Sequence, residues 1–217
     1  MNCIITAGPT YEPLDEVRRL TNFSSGRLGS DLANFLVGHG HRVTLLRGHY
    51  ATWHGEQRAQ SVREFTTTIS LRDALHELSR NAVDAVFHAA AVSDFGFGRI
   101  WEKTESGELI VAHGGKVSTR SGTLMAELVP TPKIISSLRE WYPQACLVGW
   151  KYEVDGDRTN VVAKARKQIV EGRTTACVAN GRAYGSGFGL VQATGLPGHF
   201  ADAGELYRAL EKLAATI

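Results

Sequence analysis

The chain has 217 residues, 43% of them apolar, which is enough for one large α/β domain with a full core. Its 24 lysines and arginines nearly balance 22 acidic residues, and a formal charge of +2 leaves no electrostatic footprint for nucleic acid or a membrane surface. Cys3, Cys146 and Cys177 are odd in number and lack CxxC spacing, which suits reduced core thiols in a cytoplasmic protein, and no apolar run approaches the ~20 residues of a membrane span.

Apolar runs alternate with amphipathic ones along the whole length, the signature of a mostly parallel sheet covered by helices. Residues 2–6 read as a buried strand and 27–37 as a helix closed by Gly38 or Gly40, so the segment between them is expected to be irregular. A second strand is predicted at 42–46, a turn-rich stretch to about 61, a strand at 62–67, and a helix at 70–80 capped by Ser70. Residues 82–89 form an apolar strand ending in a run of alanines. Residues 95–122 carry glycine and charge with little periodicity and read as a mobile flap. A short strand at 123–128 precedes a helix at 131–142, with Pro132 in its first turn. Then follow a strand at 146–150, a basic helix at 157–171, a strand at 174–179, an edge hairpin within 190–200 and a closing helix at 203–215. The expectation is a single doubly wound, Rossmann-like α/β domain over residues 1–217, with helices on both faces.

The segment from Ile5 to Gly29, at the end of the first strand, is the strongest candidate for a ligand loop. In an open α/β sheet the ligand crevice lies outside the carboxyl ends of the strands, and anions sit on helix N-terminal amides. Gly8 is a candidate binding residue of this loop, and Ser24, Ser25 and Gly26 are expected to supply the amides and a cap. The eight histidines form no ligand set: His39 and His41 lie in a turn and His88 stands alone on an apolar strand, so no protein metal site is expected.

The loop resembles the phosphopantothenate–cysteine ligase family. Thr6, Ala7, Gly8, Thr10, Glu12, Pro13, Asp15, Val17, Arg18, Asn22, Ser24, Ser25, Gly26 and Gly29 fall in register with the pattern TAGxTxEPxDxVRxxxNxSSGxxG. The resemblance implies a two-step reaction. The carboxylate of 4′-phosphopantothenate attacks the α-phosphate of CTP or ATP, and the amine of L-cysteine then displaces the nucleotide from the acyl-nucleotidylate. Such a site needs positive charge at the triphosphate and fixed donors at the acyl phosphate, with Mg²⁺ arriving on the nucleotide.

By the same resemblance, Asn22 contacts the activated acyl group with Arg18 close by. HAAAVSD resembles the family's AAVxD element, so Ala90, Ala91 and Asp94 are assigned to the nucleotide site. Lys116, in GGKVSTRSG and upstream of TPKII, resembles the lysine that neutralises triphosphate charge. LVGWKYEV resembles VGFKxE and implicates Trp150 and Lys151; VAN at 178–180 resembles VAND and implicates Asn180, followed by Phe188. Gly181 stands where the family has Asp, and the lysine cluster is reduced to Lys116.

Family members are homodimers, which is the expectation here. Because residue 1 runs directly into the ligase's first strand, a monofunctional form without flavin is expected. Two other readings stand beside the ligase: an NAD(P)-dependent reductase, against which count the missing compact GxGxxG, the lack of an acidic residue after RVTLLRG and the absence of a Tyr-x-x-x-Lys pair, and an inactive nucleotide-binding homologue.

Overall fold

The computed structural model describes residues 1–112, 115 and 123–216. The first strand, β1 (Asn2–Ala7), is buried from Cys3 onward, as expected of a strand covered on both faces. A two-stranded antiparallel ribbon follows, β2 (Tyr11–Pro13) and β3 (Arg19–Thr21), so the loop read as irregular contains a hairpin. Helix α1 (Arg27–Gly38) leads to β4 (Arg42–Gly48) and β5 (Ser61–Phe65). Helix α2 (Thr68–Leu78) begins two residues earlier than expected. Its cap is Thr67, whose hydroxyl accepts from the Ser70 amide at 3.2 Å, so Ser70 is inside the helix. Strand β6 (Ala85–His88) follows.

Residues 95–122 are not irregular throughout: their described part holds β7 (Phe95–Lys103) and β8 (Leu109–Val111), which join β9 (Thr123–Pro130) in a separate antiparallel sheet ordered β8-β7-β9. These strands escaped the sequence reading because little of this arm is buried, and a strand without a covered face shows no clean alternation.

The helix expected at 131–142 is replaced by a 3₁₀ turn (Ile134–Ser136) and the four-residue α3 (Leu138–Trp141). Thr131 is held out of a helix by its amide bond to the Asp94 carbonyl at 3.0 Å and its hydroxyl bond to the Ser93 carbonyl, and Pro132 favours an extended residue before it. The chain closes with β10 (Cys146–Tyr152), α4 (Arg158–Gly172, capped by Asp157), β11 (Ala176–Asn180), the antiparallel pair β12 (Phe188–Gln192) and β13 (Gly198–Phe200), and α5 (Ala203–Ala214, capped by Asp202).

The main sheet has the order β13-β12-β11-β10-β6-β1-β4-β5, and its six parallel strands, taken in chain order, run 3-2-1-4-5-6 from the β5 edge. This is the doubly wound arrangement. Leu32 and Leu36 of α1 with Leu206 and Leu210 of α5 cover Ile5, Leu45, Phe87 and Val148 on one face. Leu71 and Leu75 of α2 with Leu138 of α3 cover Ile4, Leu46, Val86 and Leu147 on the other, and α4 continues that layer over Cys177 and Ala179. Each fully buried leucine contributes roughly 1.5–3 kcal/mol, so the two faces are each driven by several such side chains. The three cysteines are buried and free, and burial pushes their thiols up, Cys3 and Cys177 to about 12 and Cys146 to about 11. None is a reactive thiolate at neutral pH. Among the described residues no helix is long and apolar enough to cross a membrane.

Candidate functional site at the strand-order reversal

Chain order reverses between β1 and β6, so the loops leaving these strands diverge and form a crevice at the carboxyl edge of the sheet. Its floor is made of glycine. Gly8 has φ 85°, and a Cβ there would lie 2.7 Å from the Ala51 Cβ. A Cβ on Gly26, φ 77°, would lie 3.0 Å from the same atom and 3.1 Å from the Gly8 nitrogen, while one on Gly29 would lie 2.8 Å from the Ala7 Cβ. Gly8 makes the turn after β1, Gly26 packs against that turn and Gly29 lets α1 close on β1, which match the turn and helix-on-strand tasks of glycines in a dinucleotide fingerprint. Here the hairpin is inserted after the first of them, which hides the fingerprint in the sequence.

Ser24 and Ser25 do not cap α1 as expected. The N-cap is Gly26 in a left-handed conformation, with no side-chain cap bond, and Ser25 Oγ makes one long contact, 3.3 Å, with the Arg27 amide. A serine side chain would not tolerate the Gly26 φ angle without strain.

The hairpin is sewn to the β6 loop. The Ala91 amide donates to the Gly8 carbonyl at 3.0 Å, the Thr10 amide donates to Ala91 at 3.1 Å, and Asn22 Nδ2 donates to the carbonyls of Ala91 and Val92, both at 3.3 Å. Beneath them Thr10 Oγ1 accepts from the Ser93 amide at 2.8 Å and donates to Ser93 Oγ at 3.0 Å. The Glu12 carboxylate takes the first amide of α2, Thr68, at 3.0 Å, where the helix dipole favours negative charge. Thr10, Glu12 and Ser93 were not picked out as functional; polar residues at fixed places in an otherwise apolar or glycine-rich motif were their only signal. Ala90 and Ala91 therefore lie in the crevice wall. The Asp94 carbonyl holds Thr131, and the Asp94 side chain is exposed at the same loop.

Arg18 is engaged locally. Its Nε and Nη2 reach Asp15 Oδ2 at 3.0 and 2.5 Å, and Asp15 Oδ1 accepts the amides of Val17 and Arg18, so the pair builds the hairpin turn. Lys116 lies outside the described residues. Its neighbour Gly115 accepts the Glu16 amide at 3.0 Å, which ties the chain beside Lys116 to that turn. An open cleft of about 660 Å³ lies here, between Pro13–Glu16 of the hairpin turn and Gly98–Ile100 of β7, on the arm side of the crevice.

The remaining candidates lie at the carboxyl ends of β10 and β11. Trp150 and Phe188 pack against the core on the α1 and α5 face. Trp150 pairs with Val178, so Asn180, two residues on, presents its side chain to the same face. Trp150 Nε1 and Asn180 Oδ1 are buried and have no hydrogen-bond partner among the described residues, which is uncommon for such groups and leaves one donor and one acceptor for a ligand. Lys151, by alternation, is on the opposite face and pairs with Glu153 at 3.3 Å, as does Lys164 at 2.6 Å. Burial pushes the Glu153 carboxyl up, but hydrogen bonds from Lys164 and Lys151 and their charges outweigh it and hold it below the usual carboxylate range. Gly181, with φ 108°, sits so close that a Cβ would be 2.4 Å from the Glu153 carbonyl oxygen.

His88, under the crevice, shares a 3.0 Å hydrogen bond with Thr6 Oγ1, which also accepts the Ala90 amide at 3.0 Å. Burial pushes its imidazole down to about 4, so at neutral pH it is an uncharged core residue. The unfolded chain binds this proton below about pH 6.5 while the folded chain does not until about pH 4. Stability is therefore expected to fall on acidification through that window, by up to about 3 kcal/mol from this group. Chemical denaturation of His88→Gln at pH 7 and pH 4.5 is expected to show a clearly smaller acid loss than wild type; equal losses would assign the acid sensitivity elsewhere.

A glycine-floored crevice at the strand-order reversal of a 3-2-1-4-5-6 sheet defines a Rossmann-like protein, the class in which ligands bind outside the carboxyl ends of the strands. Residues 1–196 match the model of the DNA/pantothenate metabolism flavoprotein C-terminal domain, and the chain belongs to that family, that of the phosphopantothenate–cysteine ligases. It is 35% identical over 186 residues to the coenzyme A biosynthesis bifunctional protein CoaBC of Thermococcus kodakarensis, covering 84% of this chain and 42% of that protein. The chain thus spans less than half the length of that relative. The crystal structure of the DNA/pantothenate metabolism flavoprotein from Streptococcus pneumoniae superposes with a TM-score of 0.85 over the whole of both chains at 26% identity. The C-terminal domain of a CoaBC protein gives 0.75, also at 26% identity, over 99% of this chain and 94% of that one.

Proposed function

We propose that this chain joins 4′-phosphopantothenate to L-cysteine through an acyl-nucleotidylate formed from CTP or ATP. The observation that carries the reading is the placement of Asn22 at the crevice, held by the Ala91 and Val92 carbonyls. Because Nδ2 is committed to those carbonyls, Oδ1 is the atom available to a ligand. It can accept a hydrogen bond from the cysteine amine and hold its nitrogen toward the acyl carbon, so that the amide bond forms as the nucleoside monophosphate leaves. The uncapped amides of α1 and the glycine floor receive a phosphate, and the Trp150 and Asn180 pair offers a donor and an acceptor to the nucleoside. Lys116 supplies charge at the triphosphate. Lys151 exchanges its Glu153 partner for phosphate oxygen.

Mg²⁺ is assigned to the nucleotide, where it would neutralise phosphate charge. A homodimer is proposed from the arm and hairpin, which leave Val17, Leu20, Ile110, Met125 and Leu128 exposed; light scattering is expected to give about twice 23.6 kDa. The buried reduced thiols fit a cytoplasmic protein.

The test is pyrophosphate release from a nucleotide panel with 4′-phosphopantothenate, followed by capture with L-cysteine. Lys116→Gln is expected to slow pyrophosphate release by about 10²-fold, the scale of one electrostatic contact in a transition state. Nucleotide binding without pyrophosphate release from any nucleotide would mark the chain as an inactive homologue.

A further inference from the structure

Asn22 leaves β3 directly, so its position depends on what holds the hairpin in place. On the inner side that is the Thr10, Glu12 and Ser93 network. On the outer side it is Arg19, three residues before Asn22. The Arg19 guanidinium lies 4.3 Å from the ring centroid of Tyr50 and 5.4 Å from that of Tyr11, and the two rings meet edge to face at 5.2 Å. Tyr11 belongs to the hairpin, but Tyr50 belongs to the turn after β4.

That turn is itself part of the crevice. Its Ala51 is the atom group against which Gly8 and Gly26 close, and the Trp53 amide donates to the Ser25 carbonyl at 3.0 Å. Arg47 Nη2 holds the turn by bonds to the Ala51 and Trp53 carbonyls, both at 2.7 Å. Tyr50 is further braced by His49, edge-on at 4.7 Å, which pairs with Glu64 at 2.6 Å. Arg19 therefore links the hairpin that carries Asn22 to the turn that builds the glycine floor.

We propose that Arg19, clamped between Tyr11 and Tyr50, is a positioning residue for the ligation: it fixes Asn22 relative to the phosphate floor. A guanidinium is broad enough to reach both rings at once and is more weakly hydrated than the compact ammonium of a lysine, so it is the better bridge between them. The inference rests on the reading that Asn22 faces the activated acyl group.

The experiment compares Arg19→Ala, Arg19→Lys, Tyr50→Leu and Tyr50→Phe with Asn22→Ala and the double variant Arg19→Ala/Asn22→Ala. Arg19→Ala and Tyr50→Leu are expected to lower kcat about tenfold or more, with KM for nucleotide unchanged, because displacement of about 1 Å at a reacting centre has effects of that order. Tyr50→Phe keeps the ring and is expected to retain wild-type kcat, and Arg19→Lys to behave as Arg19→Ala. The double variant should be no slower than Asn22→Ala.

Wild-type kcat in Arg19→Ala would overturn the proposal. So would a costly Arg19→Ala beside a silent Tyr50→Leu, which would mean that charge rather than stacking matters, or a full tenfold loss on top of Asn22→Ala. Failure of the underlying reading shows separately, as a fully active Asn22→Ala. Thermal denaturation of each variant separates loss of fold from loss of position: a kcat loss restored by cooling below the variant's transition would also overturn the proposal.

Discussion

Asn22→Ala is expected to reduce ligase turnover by about 10²- to 10³-fold, the range for removing one preorganised polar contact to the reacting group. KM for nucleotide is expected to change little, because the glycine floor and the β10–β11 end of the crevice are untouched. Asn22→Asp is an informative companion. Its carboxylate is nearly isosteric but cannot donate to the Ala91 and Val92 carbonyls, so it should lose the same orientation and repel them. Single-turnover measurement of acyl-nucleotidylate formation and of cysteine capture places the loss: with Oδ1 acting on the amine, capture should slow more than nucleotidyl transfer. A fully active Asn22→Ala would remove Asn22 from the chemistry.

Gly181→Asp is expected to destabilise the protein rather than restore a missing family residue. Its φ of 108° is one that residues with a Cβ rarely adopt, and the new Cβ would stand 2.4 Å from the Glu153 carbonyl oxygen and 2.8 Å from the Glu153 nitrogen. Both obstacles are backbone, so neither moves cheaply. Left-handed strain and overpacking each cost on the order of 1–3 kcal/mol, and a combined loss of about 3 kcal/mol lowers Tm by roughly 6–12 °C in a chain of this size. Because Asn180 and Glu153 share a backbone hydrogen bond at 3.1 Å, nucleotide affinity should fall with stability. A variant with unchanged Tm and tighter nucleotide binding would show that the backbone here readily adopts another conformation. Gly181 thus reads as a local adaptation of this chain to the close approach of β10 and β11, and it does not by itself imply lost activity.

The strands and helices that were legible beforehand are those with a covered face. Strand β1 shows a continuous apolar run because helices cover both of its sides, and α5 shows Leu206, Tyr207, Leu210 and Ala214 at helical spacing because one stripe is buried. Where burial is sparse the signal vanishes: among the described residues β7 to β9 pair with each other and not with the main sheet, and their exposed residues carry no alternation to read. The helix expected after Thr131 was lost to contacts with Ser93 and Asp94, nearly forty positions earlier, which no local window contains.

The candidate site divides in the same way. Residue types in the first loop and after β6, β10 and β11 determined by themselves which segments gather at the carboxyl edge, because strand ends and glycines are local features. The sequence also carried the family. Only the tertiary structure decided what each side chain touches there. Gly26, not a serine, starts α1; Arg18 turns inward on Asp15; Lys151 and Asn180 leave the sheet on opposite faces; and Asn22 reaches carbonyls 69 and 70 residues away. The reason is that a hydrogen bond or a stacked guanidinium depends on distances set by the packing of the whole sheet, and residue order along one strand contains no information about those distances.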